Sequence, residues 1–196
     1  MIISVSRRTD IPAFYAEWFY NRLRAGYVLV RNPMNVHNVS KVALSPEVVD
    51  AFVFWTKNPL PLMKRLDELV EYPYYFQFTL TGYGKDIEPG LPDKKQVLLP
   101  AFKELAAKTG RQRVIWRYDP IFFSSRYSAE YHLECFEALA AELSGSTERC
   151  VISFMDEYRN TKRNAQKLGA VNYSSEEIYA FAAHLAKIAD KYGLKL

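Results

Sequence analysis

The sequence predicts an α/β fold built on a mainly parallel sheet, and three observations carry that prediction. Short apolar runs alternate with helical segments of about ten to fifteen residues, the length a parallel crossover needs. Two of these runs end alike: Phe52-Val53-Phe54-Trp55 leads to Lys57-Asn58-Pro59, and Val114-Ile115-Trp116 leads to Arg117-Tyr118-Asp119-Pro120. The clearest strand, Tyr74 to Thr81, sets Gln77, Thr79 and Thr81 on one face and Phe76, Phe78 and Leu80 on the other. In an open doubly wound sheet both faces lie under helices and are apolar, whereas a barrel interior or cupped cleft tolerates a polar face that holds a ligand or water. The preferred expectation is a partial, incomplete TIM-like barrel, with the open doubly wound sheet as the alternative. A full (β/α)8 barrel takes about 250 residues, and this chain has 196.

In order along the chain, Ile2 to Ser6 alternates as a strand, and Asp10 stands as the N-cap of a helix with Pro12 in its first turn. Phe14, Trp18, Phe19 and Leu23 recur on that helix at helical spacing, and Gly26 ends it. Tyr27 to Val30 reads as a second short strand, and the polar stretch from Met34 to Ser40 as a loop or ribbon in which His37 is solvated. Ser45-Pro46-Glu47 resembles the cap of a short helix before the Phe52–Trp55 strand, and Leu60 to Val70 reads as the next helix. After the Tyr74 strand and its exit at Gly82-Tyr83-Gly84, Lys85 to Asp93 is a long irregular excursion, and Lys94 to Lys108 is helical.

Val114 to Ile121 reads as a buried strand that Pro120 stops. Its alternation places Val114, Trp116 and Tyr118 together and turns Arg117 and Asp119 the other way. Ser128 to Leu143 is a helix with an expected buried stripe of Leu133, Phe136, Leu139 and Leu143. Cys150 to Met155 is a strand running into Asp156-Glu157, and a helix from Tyr158 to Leu168 carries Lys162 and Arg163 on a solvated face. A helix capped by Ser174, Ser175 and Glu177 runs from Ser175 to Lys191, and Gly193 to Leu196 starts what looks like one more strand. About six parallel strands result, in a single α/β domain over residues 1–196 that reads as the amino-terminal part of a longer barrel.

Composition narrows the function classes. With 49% hydrophobic and 24% charged residues the chain is a globular protein and not a disordered one. A net charge of +4 favours an anionic ligand but falls short of a dedicated nucleic-acid binder. Cys135 and Cys150 are too few for a disulfide framework and lack metal-site spacing, so a reducing, cytoplasmic setting is expected and both thiols are read as inert. No apolar stretch approaches the roughly 20 residues that span a membrane. The sequence also lacks a Ser–His–Asp elbow, a Walker loop and a dinucleotide fingerprint, and His132 and His184 are not at mutual ligand spacing.

The chemistry-bearing candidates are the charged and polar groups at strand ends. Arg7, Arg8, Asp10, Lys57, Asn58, Thr81 and Arg117 form an expected anion-binding set, since guanidinium groups grip phosphate or carboxylate in two-pronged fashion. Asp119 and Asp156 are the candidates for accepting a proton or orienting a base. Parallel strands would gather these groups on one rim. The competing reading is an internal ion-pair network that only stiffens the fold.

Five segments carry a resemblance across nearly the whole chain: Ser4 to Pro12, Phe54 to Pro59, Gln77 to Gly84, Val114 to Ile121 and Tyr158 to Asn164. Together they resemble the bacterial family known as domain of unknown function 1848. Longer members of that family look like relatives of radical S-adenosylmethionine and spore-photoproduct-lyase-type barrels, with a cysteine cluster suited to an iron–sulfur centre. The resemblance therefore implies a radical-enzyme-like barrel, with an iron–sulfur cluster and S-adenosylmethionine in a longer form and no cofactor in this chain, while the strand-end charges add the expectation of an anionic substrate bearing phosphate or carboxylate, a nucleotide-like one among the candidates. The alternative from a different class is a non-catalytic module for nucleic acid or nucleotides, with Tyr83, Trp55 or Tyr118 stacking on bases.

Overall fold

The computed structural model describes residues 1–5, 8–155, 168–171 and 173–196. Among them, five strands form one sheet in the order β1-β4-β5-β6-β7: Ile2–Val5, Ala51–Thr56, Tyr74–Thr79, Val114–Ile121 and Cys150–Phe154. β1 runs parallel to β4, and β6 runs parallel to β7. The protein is thus mixed α/β with a parallel sheet in a linear strand order. The chain divides into two compact units, Met1–Gln77 and Phe78–Leu196.

In the first unit the side chain of Asp10 accepts from Ala13 N at 2.9 Å and caps α1, Ile11–Phe14. The expected single helix is interrupted at Tyr15, and α2 resumes at Ala16–Ala25. We attribute the break to competing anchors, since α1 is fixed by Asp10 while α2 is fixed by its buried Phe19, Tyr20 and Leu23. Phe14 and Trp18 fall off that buried face and are exposed. Gly26 ends α2 at φ 74°, a conformation glycine adopts without a Cβ clash.

The second expected strand does not join the parallel sheet. β2 (Tyr27–Arg31) pairs antiparallel with β3 (Val39–Ala43) in a sheet of its own. The link between them is too short for a parallel return. Asn32 and Asn35 shape it, their side chains accepting from Met34 N and His37 N, and His37 is exposed as expected. Ser45 begins only a turn, not a helix. The Leu60–Val70 segment splits into α3, Leu60–Met63, and a 3-10 turn at Leu66–Leu69. Aromatic side chains build this unit's core: Phe19 packs edge-on against Phe52 and Phe54, and Phe54 stacks on Phe76.

In the second unit a π-type turn over Lys94–Leu98 precedes α4, Leu99–Thr109. β6 follows, then α5 (Ala129–Leu143), β7 and α6 (Ser175–Lys191). β6 does not stop at Pro120: it continues to Ile121 through an irregularity between Tyr118 and Ile121 that shifts its register against β7. Pro120 has no N–H to contribute to the ladder, and the shift accommodates that loss. The buried stripe of α5 is His132, Phe136, Ala140 and Leu143, while Leu133 and Leu139 are half-buried. α6 opens with a reciprocal cap between Ser174 and Glu177. Lys195 bridges to Arg149, so the last residues do touch the start of β7. The helix expected from Tyr158 lies outside the described residues.

Candidate functional site

β6 is held from behind. Val114, Trp116 and Tyr118 are fully buried, Trp116 stacks on Phe136 and donates from Nε1 to Leu80 O at 2.8 Å, and Tyr118 Oη meets His132 Nδ1 at 2.9 Å. This fixes the opposite face, where Arg117 and Asp119 sit two residues apart and point the same way. Arg117 Nε donates to Asp119 Oδ1 at 2.9 Å and to Oδ2 at 3.1 Å, and Nη2 donates to Oδ2 as well. Ser153 of the neighbouring β7 donates to the same Oδ2 at 3.4 Å. The two charged side chains are only 14% and 13% exposed, so water screens this pair far less than a surface one.

Thr81 lies in a separate polar knot. Its Oγ1 donates to Glu88 Oε2 at 3.0 Å, and Lys94 Nζ donates to Thr81 O at 2.9 Å and Tyr83 O at 2.6 Å while pairing with Glu88. Thr81 and Glu88 are buried, and the Lys94 ammonium ties the ends of the Lys85–Asp93 excursion together. Neither Glu88 nor Lys94 stands out in the sequence, because an acid inside an irregular loop and a lysine at a helix start are ordinary surface patterns. Only their meeting over Thr81 distinguishes them.

In the first unit Asp10, Thr56 and Asn58 come together as a joint. The Asp10 carboxylate accepts from Thr56 Oγ1 at 3.0 Å and Lys57 N at 2.7 Å in addition to capping α1. Burial raises the Asp10 pKa from its ordinary value, against the lowering effect of the hydrogen bonds from Lys57, Thr56 and Ala13. Asn58 Oδ1 accepts from Leu60 N at 3.2 Å and Asn58 N donates to Thr56 Oγ1 at 2.9 Å, so this amide starts α3. Lys57 is half-buried beside it. Arg8 is exposed, with Nη2 donating to Arg31 O at 3.2 Å. Arg7 and Asp156 lie outside the described residues.

Two of the aromatic groups named for base stacking are engaged in packing: Tyr118 is 1% and Tyr83 5% exposed, and Trp55 is half-buried. A four-cysteine iron–sulfur cluster does not fit the residues present. No group of three or more His, Cys, Asp or Glu side chains able to hold a metal occurs among the described residues. Cys135 is half-buried, and Cys150 is buried with its thiol pKa pushed up by desolvation. No helix of the described residues is long and apolar enough to cross a membrane.

Neither a curated protein nor a solved structure matches the chain. A family match covers residues 2–196, and the chain belongs to that family, domain of unknown function DUF1848.

Proposed function

We propose that this chain is the substrate-holding part of a partial TIM-like barrel enzyme that takes a small phosphate- or carboxylate-bearing anion at the carboxyl ends of its strands. The barrel reading is supported by the strand order, which follows the chain without the reversal that marks a doubly wound sheet. The observation that carries the function is the Arg117–Asp119 pair on one face of β6, a two-pronged contact in a poorly hydrated position. Asp119 holds the guanidinium in one orientation, which pre-positions its charge for an anion that approaches this face of the sheet. Asp119, held by Arg117 and Ser153, acts as the group that orients Arg117. The radical chemistry implied by the resemblance has no ligand set among the described residues.

The test is calorimetric titration of inorganic phosphate and citrate into the wild type, Arg117→Lys and Asp119→Asn at low salt, with melting temperatures alongside. Arg117→Lys should keep the fold while weakening binding by about tenfold or more, since a point charge replaces a fork. Equal binding by variant and wild type, or no binding by either, would reject this reading. A single-stranded oligonucleotide that binds with a steep salt slope would favour the nucleic-acid module instead.

A further inference from the structure

The first unit contains a cavity of ≈ 530 Å³ between β1, α2 and the β2–β3 hairpin. That volume lies in the range of small-molecule sites. Its wall is mostly hydrocarbon, with Ile3 and Val5 from β1, Trp18 and Phe19 from α2, Leu29 from β2, and Phe52 behind them. Leu29 is 59% and Trp18 44% exposed, which is unusual for two large apolar groups facing the same hollow.

The polar part of the wall has one sign. Arg8, Arg22 and Arg31 line the cavity, and no acidic side chain does among the described lining residues. Arg22 follows Trp18 by one helical turn, so the cation and the indole share a side of α2. Glu17, the acid of that helix, is taken by Arg24 at 3.6 Å and Arg65 at 2.5 Å. Arg8 donates to the Arg31 carbonyl at 3.2 Å, which brings a second arginine to the end of β2. Like charges gathered beside hydrocarbon repel one another, and an anion with an apolar body relieves both costs at once.

We propose that this cavity binds a small amphipathic carboxylate, its hydrocarbon body against Trp18, Phe19 and Leu29 and its carboxylate against Arg22 and Arg31. A purely polar anion leaves the apolar wall wet, and a neutral hydrocarbon leaves Arg22 and Arg31 without a counter-charge. The site is separate from the Arg117–Asp119 pair of the second unit and does not depend on it.

Decanoate is the probe, followed by calorimetry and by tryptophan fluorescence with Trp18→Phe as the control that assigns the optical change. Decanol supplies the chain without the charge, and acetate the charge without the chain. The expected result is saturable one-to-one binding of decanoate, about tenfold or more tighter than decanol or acetate. Arg22→Gln should weaken decanoate by about tenfold and leave decanol unchanged, while Leu29→Glu, at an exposed wall position, should repel decanoate without lowering the melting temperature. Arg117→Lys should leave decanoate affinity within about twofold, so this proposal and the one for the second unit fail separately. Absence of saturable decanoate binding overturns the inference. So does equal affinity for decanol and decanoate, or an Arg22→Gln variant that folds and binds decanoate as the wild type does.

Discussion

Gly82 shows what a single position demands. A Cβ there would lie 2.8 Å from Cys135 Cβ, 2.9 Å from Cys135 Sγ and 3.3 Å from Tyr118 Oη. Neither partner is the free end of a flexible chain: Cys135 belongs to α5 and Tyr118 is buried in β6. Gly82→Ala should therefore overpack the exit of β5 and cost about 1–3 kcal/mol, lowering the melting temperature by about 2–4 °C per kcal/mol. Cys135→Gly removes both contacted Cys135 atoms, so the double variant should lose less than the two single losses added together, even though glycine inside a helix costs about 1 kcal/mol itself. Additive losses would show that the crowding is relieved elsewhere. The sequence reads Gly82-Tyr83-Gly84 correctly as a loop, yet the reason for the first glycine is a side chain on a distant helix. The same holds for Thr81: its local pattern says strand end, while its partners Glu88 and Lys94 are set by how the following excursion folds back.

At the level of elements, β6 was the most legible part of the chain because strict alternation places three large apolar groups on one face and a charge pair on the other. α5 was legible in extent but rotated in phase. A hydrophobicity pattern puts His132 outside, and only Tyr118 Oη and the Phe122 carbonyl, both reached through tertiary packing, make its burial tolerable. The β2–β3 hairpin was half seen, since Val39-Ser40-Lys41-Val42-Ala43 is mostly exposed and carries little patterning of its own. Asp10 is legible in the sequence as a cap, but its bonds to Thr56 and Lys57 N join two elements that local pattern treats separately. Asp10→Ala should on this basis cost more than the roughly 1 kcal/mol of a lost cap, about 2–4 kcal/mol, because the buried Thr56 hydroxyl and Lys57 N–H lose their acceptor too. Asp10→Asn, which keeps one acceptor oxygen, should recover part of that loss in chemical denaturation. A cost for Asp10→Ala no larger than an ordinary cap would show that the joint contributes nothing beyond α1.

For the whole molecule, pH separates the buried groups from the surface ones. Glu68, Glu137, Glu142 and Asp86 have carboxyl pKa values lowered by Arg65, Lys191, Lys103 and the Tyr127 hydroxyl in turn. Their contribution is complete above the unfolded carboxylate value near 4 and is lost only as pH falls through their lower folded values. Asp10 has the opposite sign: its folded pKa is raised, so protonation in the acid range favours the folded state. His132 acts earlier. Burial lowers its pKa from 6.5, against a smaller raising effect of the Phe122 carbonyl. The geometry suits the neutral ring, with Nε2 donating to Phe122 O at 3.0 Å and Nδ1 accepting from Tyr118 Oη at 2.9 Å. The titratable groups packed around it include Tyr118, Tyr83, Tyr127 and Tyr131, all with pKa values raised chiefly by desolvation and all neutral in this range. Below about pH 6.5 the unfolded chain binds a proton at this histidine that the folded chain excludes, so stability falls as pH falls from that value toward the lowered folded one. The slope reaches at most about 1.4 kcal/mol per pH unit, or about 3–6 °C in melting temperature. A scan from pH 7.5 to 5.0 covers this window, and a variant that cannot titrate at position 132 separates it from every other group. His132→Gln preserves one donor and one acceptor but does not titrate, so its melting temperature should stay nearly flat over the range in which the wild type declines. Parallel pH profiles for the two proteins would place the mild-acid dependence elsewhere and remove His132 from the account.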